Sequence, residues 1–215
     1  MPRTIWLARH GNRQDFVDAD WAETAEQPYD PGLSEDGLEQ AQRLARRLAE
    51  TGIDRIVASP FLRTLETAHA VAEALDRFVL LEPGLSEWLN AEWFEERPAL
   101  LDPAALAARF ERVDPSYRPC LTPSFPETHA AMLERTARAV RCVVSRSSGA
   151  RELLLVGHSA TLEGAFLALV GKDAKYEGCP LAGLTKLVRD GDAWQIVLQN
   201  DTAHLDSAAT THRFR

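Results

Sequence analysis

No stretch of this sequence stays apolar for the ~20 residues that a bilayer span takes, so no membrane segment is expected. The opening, MPRTIWLARHG, also lacks the longer apolar stretch of a secretory leader. Basic residues are in short supply, with 24 Lys and Arg against 32 Asp and Glu and a net charge of −8. That balance argues against a non-specific nucleic-acid binder, which needs a basic face, but it leaves room for a small cationic pocket. Cysteine is scarce as well. Cys120, Cys142 and Cys179 are odd in number and lack metal-ligand spacing, so reduced thiols in a cytoplasmic protein are expected, with no metal site. What is present is ordinary for a globular chain: 45% of residues are hydrophobic and 26% charged. The 215 residues suffice for one well-buried domain over 1–215 and are too few for two generous ones. No internal repeat or linker interrupts them.

The apolar pattern alternates between strands and helices. Thr4 to Ala8 reads as a buried strand, followed by a polar surface loop from Asn12 to Gly32. A helix should start near Ser34, which can cap it, and carry the stripe Leu38, Ala41, Leu44, Ala45 and Leu48 before Gly52 ends it. Ile53 to Ala58 is the next strand. Ser59-Pro60 then offers a cap followed by proline at the first helical position, for a helix to about Leu75. A strand is expected at Phe78 to Leu81. Next comes a segment rich in proline and aromatics, at about 83–126, then a helix over 127–145. The run Glu152 to Val156 is a buried strand, and His158 to Val170 a helix closed by Gly171. Two late strands, Leu184 to Arg189 and Trp194 to Gln199, turn around Asp190-Gly191. The tail after Asn200 is expected to be irregular. Such alternation implies a sheet covered on both faces, whose ligands bind at the carboxyl ends of the strands.

Those strand ends carry chemistry. The first ends in Arg9-His10-Gly11, the second in Ser59-Pro60 with Arg63 close behind, and the third leads to Glu87. The run ELLLV ends in Gly157-His158-Ser159. Each residue alone has a plain structural explanation; the ordered set is much harder to obtain by accident. A neutral imidazole fixed by a backbone hydrogen bond on its other nitrogen can attack phosphorus. Arginine forks bind phosphate oxygens and stabilise the charge that spreads over them. A second histidine adds a donor, and a helix N-terminus at His158-Ser159 adds a favourable dipole. The leaving alkoxide needs a proton, hence a carboxylic acid of raised pKa.

The set RHG, SPFLRTLETA, a downstream glutamate and a late GHS resembles the histidine phosphatase superfamily, or phosphoglycerate mutase-like fold, over about Ile5 to Gln199. The resemblance implies a three-layer α/β/α sandwich around a mixed, mostly parallel sheet. It also implies that His10 is the nucleophile, that Arg9, Arg63 and His158 hold the phosphate, and that Glu87 donates the proton, with no metal or other cofactor. Within the superfamily the chain looks most like the TULA/Sts-like phosphatase domains. Those carry an arginine matching Arg13, which adds it to the phosphate-binding set, and a glutamate-tryptophan pair after Pro-Gly-Leu, matching Pro83-Gly84-Leu85 and Glu87-Trp88. The stretch Val113 to Pro119 (VDPSYRP) is similar too. True mutases and fructose bisphosphatases carry serine and asparagine where this chain has Arg13 and Phe16.

Several readings stay open at this level. Glu82, Glu92, Glu95 and Glu96 compete with Glu87, which is preferred on the motif and because Trp88 could lower the local dielectric and raise its pKa. The 83–126 insertion is either a lid or a satellite core, or both. The acidic loop from Asp15 to Asp30 is either solvated or a border of the pocket, where it would repel substrates with several anionic groups. The expected function is a metal-independent phosphomonoesterase acting through a phosphohistidine on a small or aryl phosphate monoester or a phosphopeptide, with no nucleic-acid or membrane partner and with homodimerisation open. The alternatives are a phosphoglycerate-type mutase and a catalytically inactive phospho-ligand binding module.

Overall fold

The computed structural model describes residues 1–206. In chain order its elements are β1 (Thr4–Arg9), a short α1 (Trp21–Thr24), α2 (Glu35–Leu48), β2 (Ile53–Ala58), α3 (Leu62–Leu75) and β3 (Val79–Leu81). Then follow α4 (Pro103–Arg109), α5 (His129–Arg146), β4 (Glu152–Gly157), α6 (Ser159–Val170), β5 (Leu184–Asp190) and β6 (Ala193–Asp201). Among the described residues the six strands form one sheet in the order β3-β2-β4-β1-β5-β6. The first four are mutually parallel; β5 runs antiparallel to β1 and makes a hairpin with β6. The expected mixed, mostly parallel sheet of an α/β/α sandwich is what forms.

Strands buried on both faces read as unbroken apolar runs, and β1 and β4 show why. Trp6, Ala8, Leu154 and Val156 pack against Ala41, Leu44, Leu65 and Ala68 of α2 and α3. The alternate residues Ile5, Leu7, Leu153 and Leu155 pack against Val140, Val143, Leu162 and Phe166 of α5 and α6. The registers Arg9↔Gly157 and Ala58↔Val156 bring the carboxyl ends of β1, β4 and β2 to one level, so the residues that follow them meet.

Several expectations need correction. Cys120 and Cys142 form a disulfide and only Cys179 is a free, buried thiol among the described residues; the ground for placing the chain in the cytoplasm goes with it. No helix among the described residues is long and apolar enough to cross a membrane. Leu38 is 49% exposed, because α2 is turned so that Gly37 and Gln40 face the Gly11–Asn12 segment. Helix α3 starts at Leu62 with Phe61 at its cap position rather than at Ser59-Pro60. The third strand starts at Val79, one residue late, and Phe78 is exposed. The polar loop 12–32 contains the short helix α1. Beyond Asn200, β6 runs on to Asp201, residues 202–206 follow without helix or strand as expected, and residues 207–215 lie outside the described residues.

The 83–126 insertion contributes on two fronts. Leu106 and Val113 join the core beneath α2 and α3. Leu89 and Phe94 build a satellite cluster on Phe61, with Tyr29, Trp93 and Phe125 against it.

Candidate active site

After Arg9 the chain leaves the sheet and runs against the N-terminus of α2. Asn12 N donates to Gln40 Oε1 (2.8 Å), Asn12 Nδ2 to Asp36 Oδ2 (2.8 Å), and Ser34 N to Asn12 O (3.1 Å). The approach is close enough that a Cβ on Gly11 would lie 2.6 Å from Gly37 O, which explains the glycine of the RHG tripeptide. This packing fixes His10, which is 1% exposed. His10 Nδ1 lies 2.7 Å from Gly11 O. A carbonyl can only accept, so Nδ1 carries the proton and Nε2 keeps its lone pair. Burial first, then the charges of Arg63 and Arg9, hold the His10 pKa well below its ordinary value, which keeps the ring neutral.

Arg9 is anchored by its Nη1 donating to Cys179 O (2.8 Å). Arg63 sits in the first turn of α3, whose start is capped from afar: Asp30 Oδ1 accepts Leu62 N (2.8 Å). The guanidinium of Arg63 lies over the Phe61 ring, 4.7 Å from its centroid. Its Nη2 is 3.4 Å from Glu87 Oε2 and its Nη1 4.0 Å from Asp30 Oδ1. Nε and Nη1 are buried without a hydrogen-bond partner among the described residues, so the fork has donors to offer an anion. Burial lowers the Arg63 pKa to about 10, with Glu87 and Asp30 resisting; it remains a cation at neutral pH. Burial also raises Asp30, to about 6, against the pull of Arg63.

His158 opens α6. Ser59 Oγ lies 2.9 Å from its Nε2 and accepts the Phe61 amide at 3.3 Å, so the serine proton goes to Nε2. The ring proton is then on Nδ1, 3.3 Å from Glu87 Oε2. Burial outweighs the attraction of Glu87 and lowers the His158 pKa to about 4. The two histidine rings meet edge-on with centroids 5.4 Å apart.

Glu87 therefore faces both Arg63 and His158, and its Oε1 accepts Trp88 N (3.0 Å). Burial works to raise its pKa, but His158, Arg63 and the Trp88 amide win and hold it well below the usual carboxylate range. This corrects the expectation of a raised value. Trp88 does not act as an apolar cover: its indole donates to Glu127 O (2.9 Å) and packs edge-on against Trp93 and His129. The rival Glu82 is a structural residue, its carboxylate accepting the amides of Gly84, Cys120 and Leu121 and the hydroxyl of Tyr117. Glu95 and Glu96 are exposed, and Glu92 makes no contact with Arg63 or His158.

Arg9, His10, Arg63, Glu87 and His158 thus come together, and Arg13 joins them as part of the wall. Its fork is already engaged by Asp15, with Nε donating to Oδ1 (2.8 Å) and Nη2 pairing with Oδ2, and it stacks over Phe16 at 4.3 Å. Arg9, Arg13, Arg63 and Glu87 line a cavity of about 430 Å³ whose other walls include Phe16, Trp21, Tyr29, Trp93 and Phe94. Asp15 and Asp18 line it too, so the acidic loop does border the pocket. Among the described residues no group of three or more His, Cys, Asp or Glu side chains is placed to hold a metal ion. Ser59, Asp30, Thr67 and Cys179 were not singled out as site residues from sequence. Thr67 Oγ1 accepts Gly11 N (3.1 Å) and donates to Arg63 O (2.8 Å), tying the two motifs together. The SP dipeptide of Ser59 carried a signal that pointed to a helix cap, and Asp30 stood out only as the end of the acidic loop.

The profile of the histidine phosphatase superfamily (branch 1) matches residues 5–202. An uncharacterised protein of Mycobacterium tuberculosis is 34% identical over 177 residues, covering 80% of this chain and 85% of its own length. The mouse Ubiquitin-associated and SH3 domain-containing protein B is 31% identical over 145 residues; the match takes in 63% of this chain and 23% of that much longer protein. The crystal structure of an ecdysone phosphate phosphatase from Bombix mori, in complex with tungstate, aligns with a TM-score of 0.80 at 23% identity, covering 99% of this chain and 98% of that one.

Proposed function

This chain belongs to the histidine phosphatase superfamily, branch 1, and from that premise we propose that it is a phosphomonoesterase working through a phosphohistidine on His10. The observation that carries the reading is the state of His10: buried, neutral, with Nδ1 committed to Gly11 O and a nucleophilic Nε2 beside two arginines. Arg9, Arg63 and His158 hold the phosphoryl oxygens, and Arg13 contributes from the wall. A bond forms from Nε2 to phosphorus as the ester P–O bond breaks, and the leaving alkoxide takes a proton from Glu87. Water then attacks the phosphohistidine and gives its proton to the Glu87 carboxylate, releasing phosphate and neutral His10.

The low pKa of Glu87 in the free site fits this cycle. Arg63 and His158 stabilise its carboxylate until a phosphate dianion takes their attention; burial and the new like charge then favour the protonated acid. The cavity suits one dianion on a modest-sized or aryl group. Its walls are aromatic, Arg13 is neutralised by Asp15, and Asp18 would repel a second anionic group. That speaks against a mutase, which must seat two phosphates. A protein described as an ecdysone phosphate phosphatase shares the fold, in keeping with a phosphatase reading. The test is p-nitrophenyl phosphate hydrolysis with a chelator present, followed by trapping with labelled substrate. Wild type should turn over without metal and carry an acid-labile, alkali-stable label; folded His10→Ala should do neither. Near-normal turnover in His10→Ala would sink the mechanism, and a folded but inert wild type would point to a binding module.

A further inference from the structure

We propose that Arg135 and Glu127 are a positioning pair that fixes the Glu87 carboxyl in the site, an inference that rests on Glu87 as the proton donor. Arg135 lies on α5 and is 7% exposed. Its Nε and Nη2 fork onto Glu127 Oε1 and Oε2 at 2.7 and 2.8 Å. The remaining donor capacity goes to the backbone of the catalytic segment: Nη1 to Gly84 O (2.8 Å) and Ser86 O (3.1 Å), Nη2 to Glu87 O (3.2 Å). One guanidinium thus gathers three carbonyls from a four-residue stretch and fixes the course of the chain into Glu87.

Glu127 grips the other side. Its amide donates to Leu89 O (2.8 Å), and its carbonyl accepts the Trp88 indole (2.9 Å). Glu87 is therefore held between two backbone anchors, one from Arg135 within α5 and one from Glu127 just before it. Its side chain adds the Trp88 amide on one oxygen and Arg63 with His158 on the other. Stability alone does not call for an ion pair here, since well-packed apolar residues of similar volume often serve a core as well or better. Collecting three carbonyls while forking onto a carboxylate is something neither an apolar residue nor a lysine, with its point-like head, can do.

The experiment compares Arg135→Lys, Glu87→Gln and the double variant, each with a thermal melt. The measurement is kcat/KM for p-nitrophenyl phosphate, which needs little help in leaving, and for an alkyl phosphate, which needs the proton. Inhibition by orthovanadate reads the phosphate seat. Arg135→Lys should lose on the order of 10- to 100-fold on the alkyl phosphate, clearly less on p-nitrophenyl phosphate, and keep its vanadate inhibition. Added to Glu87→Gln, it should cost almost nothing further. Equal losses on both substrates, or losses that multiply in the double variant, would overturn the positioning role. If Glu87→Gln itself shows no leaving-group preference, the donor assignment falls. The positioning claim is then judged on the Glu87 carboxyl by ¹³C NMR: a resonance and titration unchanged by Arg135→Lys would overturn it, and a displaced one would uphold it. Should Arg135→Lys fail to fold, Glu127→Gln is read by the same measurements.

Discussion

At Arg63 the choice of arginine is a matter of proton affinity as much as shape. The side chain is 1% exposed, and burial costs it enough to bring its pKa down to about 10. An arginine can bear that loss and stay charged, because its reference value is so high. A lysine starts about two units lower, near 10.4, and the same burial would bring its proton loss down to the weakly alkaline range, just above neutral pH. It would also lose the fork whose Nε and Nη1 are held in reserve. Arg63→Lys should therefore lose about 2–4 kcal/mol of transition-state stabilisation at neutral pH. The sign of the pH effect is set: the variant keeps its lysine charged at and below neutral pH and loses activity earlier than wild type as pH rises. A kcat/KM profile of wild type and variant checks this, and a variant with full activity and an unchanged profile would contradict the role given to the fork. Glu87 makes the complementary point. Its burial alone would yield the raised pKa that sequence suggested, and only the geometry, with Arg63 and His158 both within 3.4 Å of one oxygen, reverses the sign.

At the scale of elements, the parts legible in the sequence are those whose cause is local. Helix α2 begins where Ser34 accepts Gly37 N, and β1 and β4 show themselves as apolar runs because helices cover both faces. The strand-end motifs gave the site because parallel register carries their ends to one level. What stayed hidden has its cause in a distant segment. The α3 start is fixed by Asp30, 32 residues away, which takes the Leu62 amide, while Ser59, the apparent cap, serves His158 across 99 residues. The Arg135 anchor and the Cys120–Cys142 bond leave no periodicity to read. That bond ties the end of the insertion to α5, the helix that carries Arg135. It closes a loop with a sequence separation of 22, for which chain entropy gives about 3 kcal/mol of stability. Reduction, or a Cys120→Ser and Cys142→Ser pair, should lower the melting temperature accordingly. An unchanged melt under reducing conditions would show that the bond does not form in solution.

For the whole molecule, acid is a sharper test of the site than heat. Burial holds His158 at about 4 and His10 well below its ordinary value, whereas unfolded histidine titrates near about 6.5. Below that pH the unfolded chain binds protons that the folded chain refuses, so stability falls as pH falls through this window. Glu87 adds to the loss further down. Its folded pKa lies below the unfolded value, so its contribution is full above about pH 4.5 and drains away as pH drops beneath it. Asp30 works the other way. Raised from 3.8 to about 6, it favours the folded state below 3.8, and that benefit is lost as pH rises through 6. His10, His158 and His204, all lowered by burial, work against Asp30 and Glu66, both raised by it, and the two deeply buried histidines give a net loss on acidification, which steepens once Glu87 begins to protonate. Surface charge pulls in the opposite direction, because neutralising part of a net charge of −8 relieves self-repulsion. Salt separates the two effects, since it screens exposed charges and leaves buried groups largely untouched. Melts from pH 7 down to pH 4 at high salt should therefore show a steady fall in Tm with its steepest part at the acid end. A flat high-salt profile from pH 7 to 5 would mean that the histidines take up protons in the folded chain as readily as in the unfolded one, and the neutral, buried nucleophile would have to be abandoned.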